Sequence, residues 1–493
     1  MNKISVKLFQ KSFHALLGFM LVSAIASFLV PNTASAANET GVYKDGIYCY
    51  NITSEENKEV QLIGIESTET TEELFIPGTV KINATEYTVI SVNMEWNQTY
   101  ATFYNSIKKI NIADTFTGSL LNLNLAFPNF RTMEFYGKTV PNNATVNISD
   151  PNITEFLFIV PEGMEEAYSK VISFSLYYSA NSDLYEEGIK LTPAIVTSAT
   201  QKVEYGCFSK DGYIYQVTQS AMKNTGEIQL VGLTTMPINS YISLPKEVTN
   251  NGYTYKLTKL CRFSLIGCGA TTIIIPDTVT EMESWIFDKK VELLFLSKNC
   301  KVIPRGLITD ENNESNLRFL YVPEGVTTIS EAAFNSISVN KASTILPTTI
   351  KSVGKKSLYS FKLVTFLNKK PIKNIAAAVK NGTTVKVKKS SISSYQSVLN
   401  KKVTVTAANN ITKATKLTVN ASSITLSTLA PITLTGALSK SSNENVYWFS
   451  TATDIFKISS KGVIHPTKAG TAYAIAYTRT SGLHQVIEIV VTK

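Results

Sequence analysis

The 493-residue sequence predicts a mainly β protein with short helical or irregular segments, built as two tandem solenoid modules followed by a small β-sandwich. Three observations predict this fold class: a long-range duplication, a shorter repeat inside the second copy, and period-two alternation near the C-terminus. Hydrophobic residues make up 44% of the chain and charged residues 17%, which excludes wholesale disorder. A chain of this length is expected to divide into about three domains.

The duplication keeps one register over a long stretch. Residues 59–65 (EVQLIGI) reappear as residues 227–233 (EIQLVGL), 168 residues further along the chain. The same offset relates residues 75–80 to 243–248 and residues 86–92 to 254–260. Upstream, the turn signal Asp-Gly at Asp45 matches the one at Asp211 at an offset of 166. Chance does not keep such a register, so we expect two copies of one module.

A shorter repeat is visible inside the second copy. A proline or serine after an apolar strand recurs at spacings of 21, 26 and 24 residues, at Pro276, Ser297, Pro323 and Pro347. Apolar residues follow at the third, sixth and eleventh places, namely Val279, Cys300, Val326 and Ile350, then Met282, Ile303, Ile329 and Val353, then Phe287, Ile308, Phe334 and Leu358. Such a unit cannot bury its own apolar edge, so it must stack on its neighbours as a solenoid.

The pattern changes near the C-terminus. Residues 417–419, 424–426 and 432–434 each place a threonine between two apolar residues, as half-buried strands do. Trp448 and glycine turns at Gly462 and Gly470 follow at spacings suited to a small sandwich. Trp448 is expected to lie in the core of that sandwich.

These motifs resemble two known families. Residues 274–279 (IIPDTV) and 320–334 (LYVPEGVTTISEAAF) look like BspA-type leucine-rich repeats, and the resemblance extends over residues 41–405 with a degraded first copy. Members of that family are bacterial surface or secreted proteins. The stretch around Trp448 is similar to the group 2 bacterial immunoglobulin-like domain. The implied organisation is a signal peptide at 1–36, a first leucine-rich-repeat module at 37–195, a second at 196–410 and an immunoglobulin-like domain at 411–493.

The N-terminus itself has the features of a secretory signal peptide. Lysines at positions 3, 7 and 11 precede an apolar run over residues 16–30, and the small residues 34–36 (ASA) follow. The run stops at Pro31 and is shorter than the ~20 residues that span a bilayer. We therefore expect cleavage after about Ala36, no transmembrane segment in the mature chain, and a secreted or cell-surface location.

Histidine is scarce, which excludes several classes of enzyme. After the signal peptide only His465 and His484 occur. Residues 37–464 therefore cannot hold a Ser-His-Asp triad, a Cys-His pair or a histidine-based zinc site. A glycosidase that uses two carboxylates passes this test, yet no motif fixes such a pair. We expect no catalytic residues, no cofactor and no metal.

The five cysteines are odd in number and form no C-x-x-C motif. Cys261 and Cys268 are close enough in the sequence for one local disulfide bond. The alternative is that the cysteines are small buried hydrophobic residues. Cys300 supports this alternative because it stands where the other repeats carry valine or isoleucine.

Charge is distributed unevenly along the chain. Residues 37–195 hold 9 basic and 21 acidic residues, a net charge of −12, whereas residues 196–493 hold 35 and 17, a net charge of +18. Residues 351–402 contain thirteen lysines and no acidic residue. The cluster Lys386, Lys388 and Lys389 is a candidate polyanion-binding site. The alternatives are a solvated lysine face or one that neutralises the acidic half. Arginine is absent there, so specific nucleic-acid binding is not expected.

The function implied by the resemblance is binding without catalysis. Solenoids present extended faces for contact, and we expect adhesion to a protein or glycan ligand on a host or neighbouring cell. The alternative is binding of an anionic polymer or glycan, such as a cell-wall polymer or a sulfated glycan, through the lysine-rich residues 351–402.

Overall fold

The structure is a computed structural model that describes residues 42–121, 123–148, 155–176, 189–198, 202–234, 240–308, 316–334, 342–427 and 430–492. The predicted signal peptide lies outside the described residues. Almost all regular structure in the described ranges is β-strand, in agreement with the prediction of a mainly β protein with short helical segments. The helices are short and lie in the turns between strands.

The strands follow each other in chain order. In the first copy they are β1 Val42–Asp45, β2 Tyr48–Ser54, β3 Glu59–Ile65, β4 Glu73–Ile76, β5 Thr79–Ile82, β6 Thr85–Asn93, β7 Lys109–Ile112, β8 Ser119–Leu121, β9 Thr132–Phe135, β10 Asn143–Ile148, β11 Leu157–Ile159, β12 Ile172–Leu176, β13 Ile189–Lys190 and β14 Ala194–Val196. In the second they are β15 Cys207–Lys210, β16 Tyr213–Gln219, β17 Gly226–Leu233, β18 Tyr241–Ser243, β19 Glu247–Asn250, β20 Tyr253–Leu260, β21 Thr272–Ile274, β22 Glu281–Met282, β23 Leu293–Phe295, β24 Val302–Ile303, β25 Phe319–Tyr321, β26 Thr328–Ile329, β27 Ala342–Leu346, β28 Ser352–Val353, β29 Phe361–Phe366, β30 Thr384–Val387 and β31 Thr404–Ala407.

The C-terminal region, residues 417–491, adds nine strands. They are β32 Leu417–Val419, β33 Ser423–Leu426, β34 Ile432–Thr433, β35 Gly436–Leu438, β36 Tyr447–Ser450, β37 Phe456–Ile458, β38 Val463–Pro466, β39 Gly470–Tyr477 and β40 His484–Val491. The helices are α1 Ala101–Ser106, α2 Leu123–Ala126, α3 Glu165–Ser169, α4 Ile375–Ala378 and α5 Ile392–Gln396, with 3₁₀ turns at Gln98–Tyr100 and Lys389–Ser391.

Each copy begins with an antiparallel hairpin and continues as a stack of parallel strands. The first copy has a sheet in the order β1-β2-β3-β6-β8-β10-β12-β13, with β5 on β6, and a second sheet in the order β14-β11-β9-β7-β4. The second copy has the sheet β15-β16-β17-β20-β19, with β22 on β20, the eight-stranded sheet β18-β21-β23-β25-β27-β29-β30-β31, and the sheet β24-β26-β28. The predicted boundary between residues 195 and 196 falls inside β14, which pairs with β11.

The hairpins of the two copies share the same irregularities. The β2–β3 register shifts between Cys49 and Tyr50, and the β16–β17 register shifts between Ile214 and Tyr215, 165 residues later. By this pairing Asp45 corresponds to Lys210. The sequence comparison, which matched Asp45 to the Asp-Gly turn one residue further on, was therefore wrong by one residue in the hairpin.

The predicted core positions of the second copy point inward. Of the twelve apolar residues at the third, sixth and eleventh places, eleven are buried and Ile308 is half-buried. Cys300 is 1% exposed, as its place in the repeat predicted.

All five cysteines are free thiols, so the local disulfide between Cys261 and Cys268 is absent. Burial raises the pKa of both of these thiols to about 12, so they stay protonated and unreactive at neutral pH.

The two stacks share one packed junction. One face of the β15–β17 hairpin, with Phe208, Tyr215 and Leu230, belongs to the core of the second copy. The other face, with Cys207 and Val231, belongs to the core of the first copy. The hairpin that opens the second copy therefore covers the end of the first stack.

Four consecutive repeats of the second stack each turn through a left-handed residue. Trp285, Gly306, Ala332 and Lys356 lie nine places after the repeat's proline or serine and have φ values of 59°, 58°, 52° and 60°. The N–H of Trp285 donates to the carbonyl oxygen of Gly306 at 2.7 Å, and that of Gly306 donates to Ala332 at 3.2 Å. These turns therefore stack on one another, and only one of them has the residue that adopts this conformation without strain.

Replacing Gly306 by alanine tests this turn. A Cβ atom at Gly306 would lie 2.5 Å from Nε1 of Trp285, and the left-handed backbone disfavours any side chain. We expect Gly306→Ala to lower the free energy of unfolding by about 1–2 kcal/mol in a thermal or urea melt. Gly64→Ala is the control, because nothing lies within 4 Å of its Cβ position. Equal stability of the two variants would contradict the assigned turn geometry.

Candidate ligand-binding cleft

The outer face of the eight-stranded sheet changes from apolar to polar along the stack. Alternate residues of each strand point away from the core, and the strand registers align these outward residues in two rows. From β18 to β25 the outward residues are mostly large and apolar, namely Tyr241, Ile274, Leu293, Phe295, Phe319 and Tyr321. From β27 to β31 they become mostly small or polar, including Ser343, Thr365, Thr384, Lys386, Thr404 and Thr406.

The C-terminal region presents a matching apolar face. In β39 the small residues Ala472, Ala474 and Ala476 point into the region's own core, whereas Ile475 and Tyr477 point the other way. Phe449 of β36 lies on the same outward side. A sheet with large apolar residues on the side away from its own core needs a second partner.

These two faces pack against each other and form the docking interface. The ring of Tyr477 lies 5.4 Å from that of Phe319 and 6.0 Å from that of Phe295, centroid to centroid. The imidazole of His484 lies 4.9 Å from the ring of Phe295. Burying one such aromatic side chain contributes roughly 1.5–3 kcal/mol, so the interface holds the C-terminal region against the solenoid.

Polar contacts surround the docking interface. At one end Ser240 Oγ donates to Thr451 Oγ1 at 2.7 Å, and at the other Tyr321 OH donates to the Ser481 carbonyl oxygen at 3.0 Å. The ion pair between Lys413 and Glu324, at 3.0 Å, fixes the connecting segment. These contacts fix the orientation in which the two apolar faces meet.

A cleft opens beside the docking interface, where the outer face of the sheet becomes polar. Its main cavity has a volume of about 800 Å³ and lies between the sheet residues Arg318, Lys362 and Lys386 and the C-terminal residues Tyr447 and Arg479. A second cavity of about 250 Å³ adjoins it and shares Lys386, Tyr447 and Arg479. The residues that line the main cavity include no aspartate or glutamate.

The charges at the cleft are mostly cationic and unneutralised. Arg318 pairs with Glu292, whereas Lys362 and Lys386 form no ion pair in the described part of the chain. The guanidinium carbon of Arg479 lies 4.1 Å from the ring centroid of Tyr447, a favourable cation–π geometry.

Glu444, which borders the smaller cavity, is a structural carboxylate. It accepts hydrogen bonds from the backbone N–H groups of Ala414, Thr480 and Ser481 at 2.7 to 2.9 Å. Burial acts to raise the pKa of Glu444, but these hydrogen bonds outweigh it and lower the pKa below its usual value. The carboxylate therefore stays ionised and fixes the loop that carries Arg479.

The predicted polyanion cluster is divided by the structure. Lys386 is half-buried on the outer face of β30 and lines both cavities, while Lys388 and Lys389 are exposed at the start of the next turn. Of the thirteen lysines in residues 351–402, eleven are exposed and Lys380 and Lys386 are half-buried. None of them pairs with an acidic residue among the described residues, so direct ion pairs do not neutralise this segment there.

Sequence reasoning missed the docking interface and therefore the cleft. A signal was present, because strands buried on both faces appear as unbroken apolar runs. Residues 273–275 (III) and 293–296 (LLFL) are such runs, whereas residues 384–387 (TVKV) alternate. The segment 472–477 (AYAIAY) alternates in side-chain size, with its large residues away from its own core. Trp448, predicted as a core residue, is half-buried and packs against the C-terminal core.

The described residues offer no membrane span or metal cluster. No helix in the described ranges is both long and apolar enough to cross a bilayer. In the same ranges no group of three or more His, Cys, Asp or Glu side chains is placed to hold a metal ion.

The repeats match a known family model. Residues 246–338 and 311–406 match the model of the BspA type leucine rich repeat region, in 6 copies. The repeat family predicted for the second copy is thus confirmed over residues 246–406. The matched residues do not include the first copy or the C-terminal region. None of the curated proteins compared with this sequence matches it.

Three solved structures are similar to the chain at low identity. A leucine rich cell surface protein from Faecalibacterium prausnitzii A2-165 is 12% identical, with a TM-score of 0.31 and coverage of 74% of this chain and 99% of that chain. The pneumococcal vaccine antigen PcpA is 11% identical, with a TM-score of 0.33 and coverage of 75% and 99%. A leucine-rich repeat protein from Bacteroides ovatus ATCC 8483 is 14% identical, with a TM-score of 0.24 and coverage of 74% and 100%. The similarity of this chain to leucine-rich repeats therefore rests on the repeat model, over residues 246–406.

The docking interface predicts a pH dependence. Burial lowers the pKa of His484 below its usual value, and the hydrogen bond to the Gly482 carbonyl oxygen offsets only part of this effect. Below about pH 6.5 an undocked histidine takes up a proton that the docked one resists. We expect acidification from pH 7.5 to 5.5 to weaken docking, seen as faster proteolysis of the segment 408–416.

His484→Phe keeps the ring contact with Phe295 and removes the titrating group, so this variant should lose the pH effect. His465→Phe is the matched control, since His465 is exposed in β38. A pH response that persists in His484→Phe would contradict the assignment.

Proposed function

We propose that this protein is a non-enzymatic binding protein, exported and displayed at a bacterial cell surface or secreted, that adheres to a protein or glycan ligand on a host or neighbouring cell. The BspA type repeat match supports a binding or adhesion role. The observation that carries the proposal is that some outer faces of the solenoid sheets are covered and others are exposed. The C-terminal region covers the apolar half of the eight-stranded sheet, whereas the outer side of the first copy keeps exposed aromatic residues.

We also propose the organisation on which this function depends. Residues 37–195 and 196–410 are two tandem modules, supported by the hairpins with equal bulges. Residues 411–493 are an immunoglobulin-like sandwich, supported by the sheets β33-β40-β39-β36 and β34-β38-β37 around one apolar core. Residues 1–36 are a signal peptide cleaved after about Ala36.

The sheet of the first copy offers the open face for a protein ligand. Its outer side carries Phe75 and Tyr136, each 49% exposed. On the same side of the sheet, Lys109 bridges Glu134 at 2.6 Å and Glu73 at 3.6 Å. Exposed aromatic residues beside fixed charges are typical of protein-binding surfaces, where a few aromatic contacts dominate the affinity.

Replacing Phe75 and Tyr136 together tests the adhesive face. We expect the double variant Phe75→Ala, Tyr136→Ala to lose about 2 kcal/mol or more of binding free energy, a roughly 30-fold weaker affinity. The measurement is binding to immobilised fibronectin, laminin and collagen and to epithelial cells. Leu125→Ala is the control, because Leu125 is 56% exposed in α2 rather than on this face. Absence of binding by the unmodified protein, or equal binding by both variants, would contradict the adhesive face.

The second candidate function is retention by an anionic polymer. The exposed, unpaired lysines of residues 351–402 favour it, because such charges attract a polyanion and the attraction is screened by salt. A cell-wall polymer or a sulfated glycan has the required charge. Lys388 and Lys389 are the exposed members of the predicted cluster.

Fractionation of the native host tests this second function. Salt at about 1 M shortens the Debye length to about 3 Å, so we expect a high-salt wash of intact cells to release the protein, whereas an isotonic wash leaves it bound. Antibody detection in medium, wash and stripped cells measures the distribution. Protein found only in the culture medium would contradict retention by the lysines.

A further inference from the structure

We propose that the cleft between the eight-stranded sheet and the C-terminal region binds a segment of an acidic polysaccharide, one whose sugars carry carboxylate or sulfate groups. This inference deepens the second candidate function and rests on it. It moves the centre of binding from the exposed lysines after β30 to a site shared by two parts of the chain.

Three cations of the cleft, Lys362, Lys386 and Arg479, form no ion pair in the described part of the chain. Lys386 and Arg479 line both cavities, and Lys362 lines the larger one. Nε of Arg479 is buried and has no hydrogen-bond partner in the described part of the chain. Buried polar atoms are seldom left unpaired, and an anionic group in the cleft supplies the missing acceptor.

The remaining lining suits a carbohydrate. Tyr447 offers aromatic surface on one wall, on which the apolar face of a sugar ring can stack, while its neighbour Trp448 packs on the core side of the same strand. Ser343 and Thr384 on the opposite wall offer hydroxyl groups that hydrogen-bond sugar hydroxyls. The main cavity, at about 800 Å³, lies within the range of roughly 300–1,000 Å³ for small-molecule sites.

The electrostatics favour an anionic chain over a neutral one. The main cavity has no acidic lining residue, and Glu444 beside the smaller one is already occupied by backbone N–H groups. In the main cavity an anion therefore meets positive charge and no carboxylate in the lining. Both walls are needed, since Lys386 comes from the solenoid and Arg479 from the C-terminal region.

Two double lysine variants distinguish binding in the cleft from binding at the exposed lysine cluster. Calorimetry on the full mature chain would use oligosaccharides of heparin, hyaluronate and dextran, with polyphosphate as an anion without sugar. We expect binding of heparin, hyaluronate or both, and none of dextran. Lys362→Ala with Lys386→Ala should weaken binding at least 10-fold. Lys388→Ala with Lys389→Ala, which removes the same charge from exposed positions, should weaken it less than 3-fold.

Fluorescence gives a second readout that does not depend on the lysine variants. Trp448 follows Tyr447 in β36 and borders the cleft from the core side of that strand, whereas Trp285 stacks on Phe263 in the solenoid. A bound oligosaccharide should change the tryptophan emission, and the change should be lost in Trp448→Phe and kept in Trp285→Phe. Binding of heparin alone would identify sulfate as the group that the cleft recognises. Binding of hyaluronate would show that a carboxylate is sufficient for recognition.

Three outcomes would overturn the inference. Equal losses for the two lysine pairs would leave polyanion retention standing and remove the cleft from it. Polyphosphate binding as tight as that of the glycans, without a change at Trp448, would show that charge alone is recognised. No binding of any anionic polymer by the unmodified chain would reject the cleft and the second candidate function together, while adhesion through the first copy would remain.

Discussion

The contact between two apolar sheet faces decides how the rest of this molecule is arranged. Phe295 and Phe319 on the solenoid and Tyr477 on β39 are too large and apolar to be left in water, and each face removes the other from solvent. Because strands β21, β23 and β25 are then covered on both sides, that part of the solenoid sheet is buried and cannot contact a ligand. Ligands are left with the polar strands that follow and with the first copy.

The polar strands gain a second wall from the same contact. Beyond β25 the outer face carries Ser343, Thr384 and Lys386, which an apolar sheet cannot cover without leaving polar groups unsatisfied. The C-terminal region therefore diverges from the solenoid there and leaves a cleft instead of an interface. The change from apolar to polar side chains along one sheet thus sets both where the parts join and where they separate.

Much of the fold could be predicted from local periodicity, whereas the site could not. Cys300 and its equivalents follow a fixed spacing from a proline or serine, so their burial needs only the repeat. The cleft needs Arg479 to meet Lys386 across 93 residues of sequence, and no local pattern encodes that distance. The apolar run at residues 293–296 does predict a strand that is covered on both sides. It does not say which segment covers it.

The junction of the two stacks carries an evolutionary consequence. Cys207 and Val231 close the first stack, and they belong to the hairpin with which the second copy begins. The corresponding positions of the first copy are Val42, which is 58% exposed, and the half-buried Ile63. The hairpin that opens the second copy thus closes the core of the copy before it. Tandem duplication of the gene segment can lengthen such a protein without creating an unsealed core.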